Sequence, residues 1–476
     1  MDEQTKYRRS ALLVAMLTSF LTPFMGSAVN IALPAMAQDL DLGAILLSWV
    51  ATAYLLASAV FLVPFGRLAD IRGRKLIFSW GIGIFTLASL LIGLAVTPAM
   101  VIGFRVLQGV GSAMIFGTGL AILVSVYPPH QRGRVLGFTV ACVYAGLSLG
   151  PTLGGLLTHH LGWRSVFFVN VPFGLLVLAV ALWKLKGEWA EARGERMDLI
   201  GAVIYGLALS GIIYGLSRLP AATGAGLILA GLIALGLFIH RELRLDQPVL
   251  DIRLFRGNRV FAFSNLAAFI HYSATFAVVF LMSLYLQYNL GLSPRDAGLI
   301  LVCQPIVMAV FSPAAGWLSD HWDPQRIASL GMFITSIGLT ILALLDGDSA
   351  LPQLVTGLVV LGFGLALFSS PNTRAVMNSV ARKHFGVAGG TVSTMRVCGQ
   401  MMSMGVTTMV FNILLGQTEI TADRFPAFLS SMRTTLTIFI ALTVFGIAAS
   451  LARGRTHPRP AGEDRAAAAP PDLGRG

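Results

Sequence analysis

The chain has 476 residues, of which 55% are hydrophobic and 12% are charged, and its mean hydropathy is +0.77. Soluble domains carry about 25% charged residues, so this composition excludes an ordinary soluble protein. The formal net charge of +12 could suggest a nucleic-acid-binding protein. The basic residues, however, lie in alternate loops between apolar blocks, which is a signal of membrane topology. We therefore expect the lipid bilayer as a partner, and no nucleic acid.

The apolar blocks are about 20 residues long, the length that a helix needs to cross ~30 Å of hydrocarbon. They predict an all-α polytopic membrane protein with fourteen transmembrane helices. The predicted helices, numbered 1 to 14, are 11–36, 45–69, 76–96, 99–126, 134–158, 164–184, 198–217, 224–240, 259–288, 295–319, 327–345, 352–377, 386–414 and 428–451.

The first block has one competing interpretation. Basic residues at Lys6, Arg8 and Arg9 precede an apolar run that ends near "AMA" at 35–37, a pattern that resembles a cleavable signal peptide. Because the apolar region of a signal peptide has only ~7–15 residues, this longer run favours a retained first helix.

The loops predict the orientation. One alternate set, which begins with the N-terminus, is rich in basic residues; it contains Arg67, Arg72, Arg74, Lys75, Arg132, Arg134, Lys184, Lys186, Arg193, Arg196, Arg241, Arg244, Arg253, Arg256, Arg259, Arg382 and Lys383. The other set contains few basic residues, such as Arg164 and Arg218, among acids such as Asp39. The positive-inside rule then places both termini in the cytoplasm, with the protein in the cell membrane. The tail, 453–476, is rich in Pro, Gly and charge and is predicted to be disordered.

An internal repeat divides the chain. "GRLADIRGRK" (66–75) follows predicted helix 2, and "GWLSDHWDPQR" (316–326) follows predicted helix 10. Six helices are too short to span this offset, so two extra helices must separate two related halves. The extra pair carries little polar chemistry and is expected to be peripheral. The predicted domains are a six-helix half (1–190), a linker with two extra helices (191–250), a second six-helix half (251–452) and the tail (453–476).

Four stretches resemble motifs of the major facilitator superfamily, and specifically of its fourteen-helix drug:proton antiporter branch. "GRLADIRGRK" is similar to the loop motif after helix 2, with Ile71 in place of the usual Arg; "RVLQGVGSA" (105–113) is similar to the helix-4 motif. "GLSLGPTLGG" (146–155) fits the helix-5 antiporter motif, and "VNIALP" (29–34) fits the end of the helix-1 motif. The resemblance implies a major-facilitator fold and a secondary transporter. We expect a monomer and no cofactor. Its expected activity is proton-driven efflux of amphipathic, drug-like compounds by alternating access.

In the loop motif, Asp70 lies near a helix C-terminus, where a negative charge is unfavourable by ~0.3–1 kcal/mol. It therefore needs a cationic partner such as Arg72 or Arg74, or the N-terminus of another helix. The resemblance implies a latch at the cytoplasmic face that closes in the outward-open state. Its residues would be Gly66, Asp70, Arg72, Gly73, Arg74 and Lys75, with Asp320 in the repeat.

In the helix-5 motif, Gly146, Gly150 and Gly154 are spaced by four residues and form a face for close helix packing. Pro151 removes a backbone hydrogen bond and is expected to kink the helix. Gly155 completes the motif. Tight packing alone is one interpretation; the resemblance implies a hinge between the halves. Prolines at 23, 34, 64, 305 and 371 are also expected to interrupt helices.

The chain has 22 Asp and Glu residues, and the predicted helices place all of them in tails, in loops or within about a turn of a helix end. Without a carboxylate at membrane depth, a cationic drug lacks an evident counter-ion. An anionic, zwitterionic or neutral amphipathic solute is therefore favoured.

Arg105 in helix 4 must face water or a partner, because an Arg at depth costs at least ~2.5–3.5 kcal/mol; snorkelling to the interface is the alternative. His271 could exchange protons near neutral pH or be a packed core residue. The full set of candidates for proton coupling or for lining a cavity is Asn30, Arg105, Gln108, His271, Tyr272 and Arg396.

Two rival functions stay open. One is a facilitator or exchanger of an organic anion or metabolite, with Arg105 and Arg396 as counter-charges. The other is a transporter-shaped receptor that does not move its ligand. An enzyme is not expected, because no nucleophile–base pair, phosphate-binding loop or metal cluster stands at a recognisable spacing.

Overall fold

The computed structural model describes residues 3–185, 187–250, 252–347, 350–380, 385–416 and 418–453. The predicted disordered tail beyond Arg453 and the basic pair Arg382 and Lys383 lie outside these residues, as does the side chain of Asp320. The described part is almost entirely helical.

Fourteen helices of this part are long and apolar enough to cross a membrane, as predicted. We number them in chain order: α1 Glu3–Leu40, α2 Ala44–Arg72, α3 Arg74–Gly93, α4 Pro98–Val126, α5 Pro129–Leu161, α6 Arg164–Phe168 with Asn170–Lys184, α7 Leu199–Arg218, α8 Ala222–Glu242, α9 Arg259–Thr275 with Ala277–Leu284 and the π-helical turn Tyr285–Asn289, α10 Pro294–Leu301 with Cys303–His321, α11 Pro324–Ala343, α12 Leu351–Asn378, α13 Phe385–Leu414 and α14 Phe425–Leu451. Two short 3₁₀ helices, Ile252–Phe255 and Ala422–Arg424, precede α9 and α14.

The bundle has two ends. We call the end with the α2–α3, α6–α7 and α10–α11 junctions the basic face, and the end with the α1–α2, α5–α6 and α9–α10 junctions the opposite face. Helices α1–α6 form the first half of the bundle and α9–α14 form the second half.

Three helices, α6, α9 and α10, are interrupted, and only the break in α10 involves a proline predicted to interrupt its helix, Pro305. α1, α2 and α12 continue through their internal prolines, contrary to the prediction. A proline removes the hydrogen bond to the carbonyl four residues earlier, and the breaks after Phe168 and Leu301 lie at the carbonyls that Pro172 and Pro305 leave without that bond.

The break in α9 has a different cause. The amide of Ala277 donates to Oγ of Ser403 on α13 at 3.0 Å instead of continuing the helical pattern. The interruption is therefore tied to a contact between two helices of the second half.

The inserted helices differ from each other. α7 packs against α2 of the first half and α13 of the second half, which corrects the expectation that both are peripheral. The Tyr205 hydroxyl donates to the Ala59 carbonyl at 3.3 Å and lies 3.6 Å from Sγ of Cys398. α8 is outermost, with exposed side chains such as Leu229. The apolar surface of α8 suits contact with lipid.

Candidate transport pathway and gates

A group of polar side chains meets between the two halves, near the middle of the helices. The Tyr144 hydroxyl on α5 lies close to Ser312 on α10 and Ser369 on α12, and within electrostatic reach of Tyr272 on α9 and Arg396 on α13. We call these five residues the seam cluster. They come from both halves, so the cluster lies inside the bundle and not on its lipid-facing surface.

The seam cluster is not close-packed. Tyr144, Tyr272, Ser369 and Arg396 are only half-buried, and the Tyr272 hydroxyl lies 3.3 Å from Oγ of Ser369. Partly exposed polar groups at membrane depth are typical of residues that face a water-accessible pathway. The two tyrosine rings of the cluster can stack on an aromatic part of an amphipathic solute, and the hydroxyls can form hydrogen bonds with it. The guanidinium can balance a negative charge on the solute.

Arg105 lies elsewhere, within the first half, and is 2% exposed. Its Nε donates to the Val50 carbonyl on α2 at 2.9 Å, and its Nη1 donates to Oε1 of Gln108 at 2.6 Å. The guanidinium stands 4.4 Å from the centre of the Tyr54 ring. Gln108 in turn donates to Oγ of Ser89 on α3 at 2.8 Å. Arg105 and Gln108 therefore join α2, α3 and α4 and do not line the seam; snorkelling is excluded.

His271 is fully buried in the second half. Its ring centre lies 4.0 Å from that of Phe368 on α12. Neither of its ring nitrogens has a hydrogen-bond partner among the described residues. Such a group is costly to bury. In this arrangement the His271 side chain is fully buried and is not part of the seam cluster, whereas the side chain of the neighbouring Tyr272 belongs to the cluster.

The helix-5 motif contacts other helices through two of its faces. Gly146, Gly150 and Gly154 face α1 of the same half, where added side chains would collide with the α1 backbone or with Ser27 and Ala28. The glycine stripe thus allows close packing within the first half, and the sequence predicted this function of the stripe.

The other face of the motif meets the second half. A Cβ added at Gly155 would overlap the carbonyl oxygen of Pro294, the first residue of α10. Reciprocally, a Cβ at Gly298 would lie 2.9 Å from the carbonyl carbon of Pro151. Backbone therefore packs directly on backbone where α5 and α10 cross near the opposite face.

Hydrogen bonds extend this contact between the halves toward the opposite face. Oγ of Ser283 on α9 donates to the Asn30 carbonyl at 2.7 Å, and Nε2 of Gln287 donates to the Ile31 carbonyl at 3.1 Å. Oγ1 of Thr408 on α13 donates to Oγ of Ser48 on α2 at 2.9 Å. Asn30 is thus a contact residue of the closed opposite face, since it is 4% exposed.

The loop motif forms the turn between α2 and α3 at the basic face. Asp70 pairs with Arg74 of its own half at 2.7 Å, one of the partners that the sequence suggested. Gly73 has a φ of +121°, which L side chains rarely adopt. Gly66 stands beside Gly117 of α4, and Arg72 and Lys75 lie at the surface of the turn.

The described acids lie in loops or near helix ends. Asp39, in the last turn of α1, accepts from Arg164 at 2.7 Å and from Trp163 at 3.1 Å at the opposite face. The seam cluster itself contains no carboxylate.

Sequence reasoning missed three members of the seam cluster. Tyr144 lies two residues before Gly146, just outside the motif that drew attention to α5. Ser312 and Ser369 belong to no motif, and serines are common in membrane helices. Only the packing of α5 against α10, and of α10 against α12, brings them together.

The sequence profile of the Major Facilitator Superfamily matches residues 15–250 and 265–474. The chain belongs to the major facilitator superfamily. The resemblance identified from four short motifs is thereby confirmed, and so is the expectation that the protein is a transporter and not an enzyme.

Named relatives are transporters and exporters. The riboflavin transporter RibZ of Clostridioides difficile is 30% identical over 87% of this chain and 89% of its own length. The cephamycin export protein CmcT of Amycolatopsis lactamdurans is 34% identical over 86% of both chains. The tetracenomycin C resistance and export protein of Streptomyces glaucescens is 32% identical over 78% of this chain and 70% of its own.

Solved structures agree on the fold. A peptide transporter matches with a TM-score of 0.71 and 13% identity over 95% of this chain and 99% of its own. A bacterial homologue of the human lysosomal transporter Spinster, in an inward-facing and unoccupied conformation, matches with a TM-score of 0.68 and 17% identity over 95% and 99%.

Proposed function

We propose that this protein exports an amphipathic compound across the cell membrane by alternating access, driven by protons. The basic face, with both termini, lies in the cytoplasm, as the positive-inside rule requires. In the arrangement described here the opposite face is closed, so solute would enter the seam from the cytoplasm.

The seam cluster carries this proposal. It joins groups from both halves, so a bound solute contacts both halves and can respond to their relative movement. Arg396 supplies a positive charge there, and the five residues of the cluster include no acid. An anionic or neutral aromatic compound is therefore the favoured substrate class, and relatives named as antibiotic exporters support the direction of transport.

Substrate class can be tested by efflux from energised cells loaded with carboxyfluorescein, riboflavin or ethidium, with and without a protonophore. We expect protonophore-sensitive efflux of the anionic and neutral probes and little efflux of the cation. Arg396→Gln should reduce carboxyfluorescein efflux about tenfold, the effect of removing one charged hydrogen-bond donor, whereas Arg295→Gln, at an exposed position in the first turn of α10, should not.

Two results would contradict this assignment. Efflux of ethidium alone would show that a cation is recognised without a seam acid. Efflux of the anion that does not respond to the protonophore would favour a facilitator or exchanger over a proton-driven pump.

For coupling, we propose His271. Its imidazole is fully buried and has no hydrogen-bond partner among the described residues. Burial of this kind favours the neutral form, so protonation would require that the surrounding helices separate. Protonation of His271 would thus be linked to a change in how the helices of the second half pack.

The test is His271→Phe, with His240→Phe at the exposed end of α8 as the control. We expect His271→Phe to abolish uphill, protonophore-sensitive efflux, to leave downhill movement of the same probe, and not to lower the unfolding temperature, because an apolar ring replaces an unpaired polar one. Uphill efflux at the wild-type rate would remove His271 from the coupling mechanism.

A further inference from the structure

The segment that joins the first half to α7 lies across the loop motif. We call residues 187–196, "GEWAEARGER", the linker strap. Its backbone pairs with the motif at two points: the amide of Arg74 donates to the Trp189 carbonyl at 2.8 Å, and the amide of Ala192 donates to the Asp70 carbonyl at 2.9 Å. These bonds fix the strap in register with the α2–α3 turn.

The first of three strap glutamates caps α3. Both carboxylate oxygens of Glu188 accept backbone amides of the first turn, from Lys75 at 2.7 Å and Leu76 at 3.1 Å. A carboxylate at a helix N-terminus satisfies free amides and the helix dipole. A Cβ at Gly73 would occupy the position of this carboxylate. The motif glycine therefore leaves room for the strap as well as adopting a positive φ.

The other two glutamates pair with arginines of the loop. Glu191 accepts two hydrogen bonds from the Arg74 guanidinium, at 2.8 and 3.0 Å, so that Arg74 lies between Asp70 and Glu191. Glu195 pairs with Arg67. The strap thus neutralises two cations of the loop and one helix terminus.

Beyond the strap, the chain is anchored to the inserted helices. Asp198, just before α7, accepts two hydrogen bonds from Arg241 at the end of α8, at 2.9 and 2.8 Å. The amide of Arg196 donates to Oε1 of Gln247 on the segment leading to α9 at 3.3 Å. Because α7 contacts both α2 and α13, the strap connects the loop motif to the boundary between the halves.

We propose that Glu188, Glu191 and Glu195 are positioning residues of the transport cycle, which hold the α2–α3 loop on its own half and so favour the arrangement in which the opposite face is closed. The inference rests on the proposed alternating access. Closure of the basic face requires the loop to approach the second half, and each strap contact that must rearrange raises the free energy of that state. This gives the inserted pair of helices a function: they carry the strap.

The experiment uses the full chain in lipid nanodiscs, with Cys142, Cys303 and Cys398 replaced by alanine. Spin labels on Trp80→Cys and Trp317→Cys, exposed side chains of α3 and α10 toward the basic face, report the distance between the halves. Hydrogen exchange of peptides covering 66–76 reports strap contact. The triple variant Glu188→Gln, Glu191→Gln, Glu195→Gln is compared with Glu419→Gln, an exposed glutamate of the opposite face.

We expect the triple variant to exchange faster at 66–76 and to shift the distance distribution toward the short, basic-face-closed population by about fivefold, the size expected when a few partly exposed ion pairs are lost. Glu419→Gln should change neither readout. Arg67→Glu alone should shift the distribution in the same direction, and Arg67→Glu with Glu195→Arg should restore it.

Faster exchange with unchanged distances would show that the strap is only structural and would overturn the proposal. Unchanged exchange would overturn it as well, because the contacts would then not protect the loop. Neither readout uses a substrate. If efflux fails in cells but the spin-label distances respond as expected, the result would therefore contradict the proposed export and would not affect the proposal for the strap.

Discussion

The two faces of this transporter are held by different forces. At the opposite face the halves touch through backbone, where Gly155 and Gly298 let α5 and α10 cross without intervening side chains. At the basic face the loop motif is held by charges: Arg74 pairs with Asp70 of the motif itself and with Glu191 of the strap, and Arg67 pairs with Glu195 of the strap. Close packing is short-ranged and intolerant of added atoms; exposed ion pairs are weak and screened by salt. One face should therefore respond to volume and the other to charge.

Added volume at the opposite face should have the largest effect. Gly298→Val places methyl groups against the Pro151 carbonyl, and overpacking costs ~1–3 kcal/mol, so the open form of this face should gain about tenfold in population. Spin labels on Leu161→Cys and Leu344→Cys, at the exposed ends of α5 and α11, measure the distance. Gly226→Val, where a Cβ would have no neighbour within 4 Å, is the control; an unchanged distribution would mean that this crossing does not close the face.

A smaller effect is expected when the glycine of the loop motif is replaced. Gly73→Ala should displace the Glu188 carboxylate and increase hydrogen exchange at 66–76 about threefold, less than the loss of all three glutamates. Gly257→Ala is a matched control, since Gly257 has a φ of +130° but open space around it. If both variants behave alike, backbone strain and not the strap contact explains the result.

A substitution of Arg105 should lower the stability of the fold without changing the populations in which either face is open or closed. Arg105→Lys removes the guanidinium nitrogens that donate hydrogen bonds to the Val50 carbonyl and to Gln108. Each hydrogen bond from a buried charged group contributes ~1.5–3 kcal/mol to the free energy of unfolding. We expect a clearly lower unfolding temperature with the wild-type distance distribution at both faces. Arg396→Lys in the seam should unfold close to wild type. A shifted distribution for Arg105→Lys would show that this network does take part in gating.

The smallest effect concerns pH. Hydrogen bonds from Arg241 lower the pKa of the Asp198 carboxyl below its ordinary value. A lowered folded-state pKa adds stability that is present above the ordinary carboxyl range, near ~4, and is lost as pH falls below it. Asp198→Asn should lower the unfolding midpoint at pH 7 by no more than about 2 °C, with the difference from wild type vanishing in acid. A difference that is independent of pH would mean that the pair contributes through packing alone.

Helix number, membrane class and family could be predicted from the sequence because each rests on local information. An apolar run of sufficient length must be a helix in a bilayer, since its backbone groups have no other partners there. Motif glycines keep their spacing wherever the helix is placed. The same reasoning placed Arg105 at a helix contact or in water, because an unpaired buried guanidinium is too costly.

Other features depend on which helices are neighbours. The seam cluster needs Tyr144 to come close to Ser312 and Ser369 across the two halves, and no local pattern pairs these residues. The three strap glutamates were hidden because the loop was interpreted by its basic residues alone, although "GEWAEARGE" carries them at spacings of three and four residues. Likewise, the breaks in α6 and α10 lie at the carbonyls that Pro172 and Pro305 leave free, whereas α1, α2 and α12 are continuous through their prolines.

The sequence by itself determined fourteen apolar helices and the absence of an acid at the centres of the described helices, because hydrophobic length and charge placement act residue by residue. The tertiary structure alone decided that α7 stands between the halves, that Arg105 and His271 are enclosed while Tyr272 and Arg396 line the seam, and that the loop motif binds the strap. Those outcomes depend on contacts between residues far apart in the chain, and the energy of each contact exists only once the helices have packed.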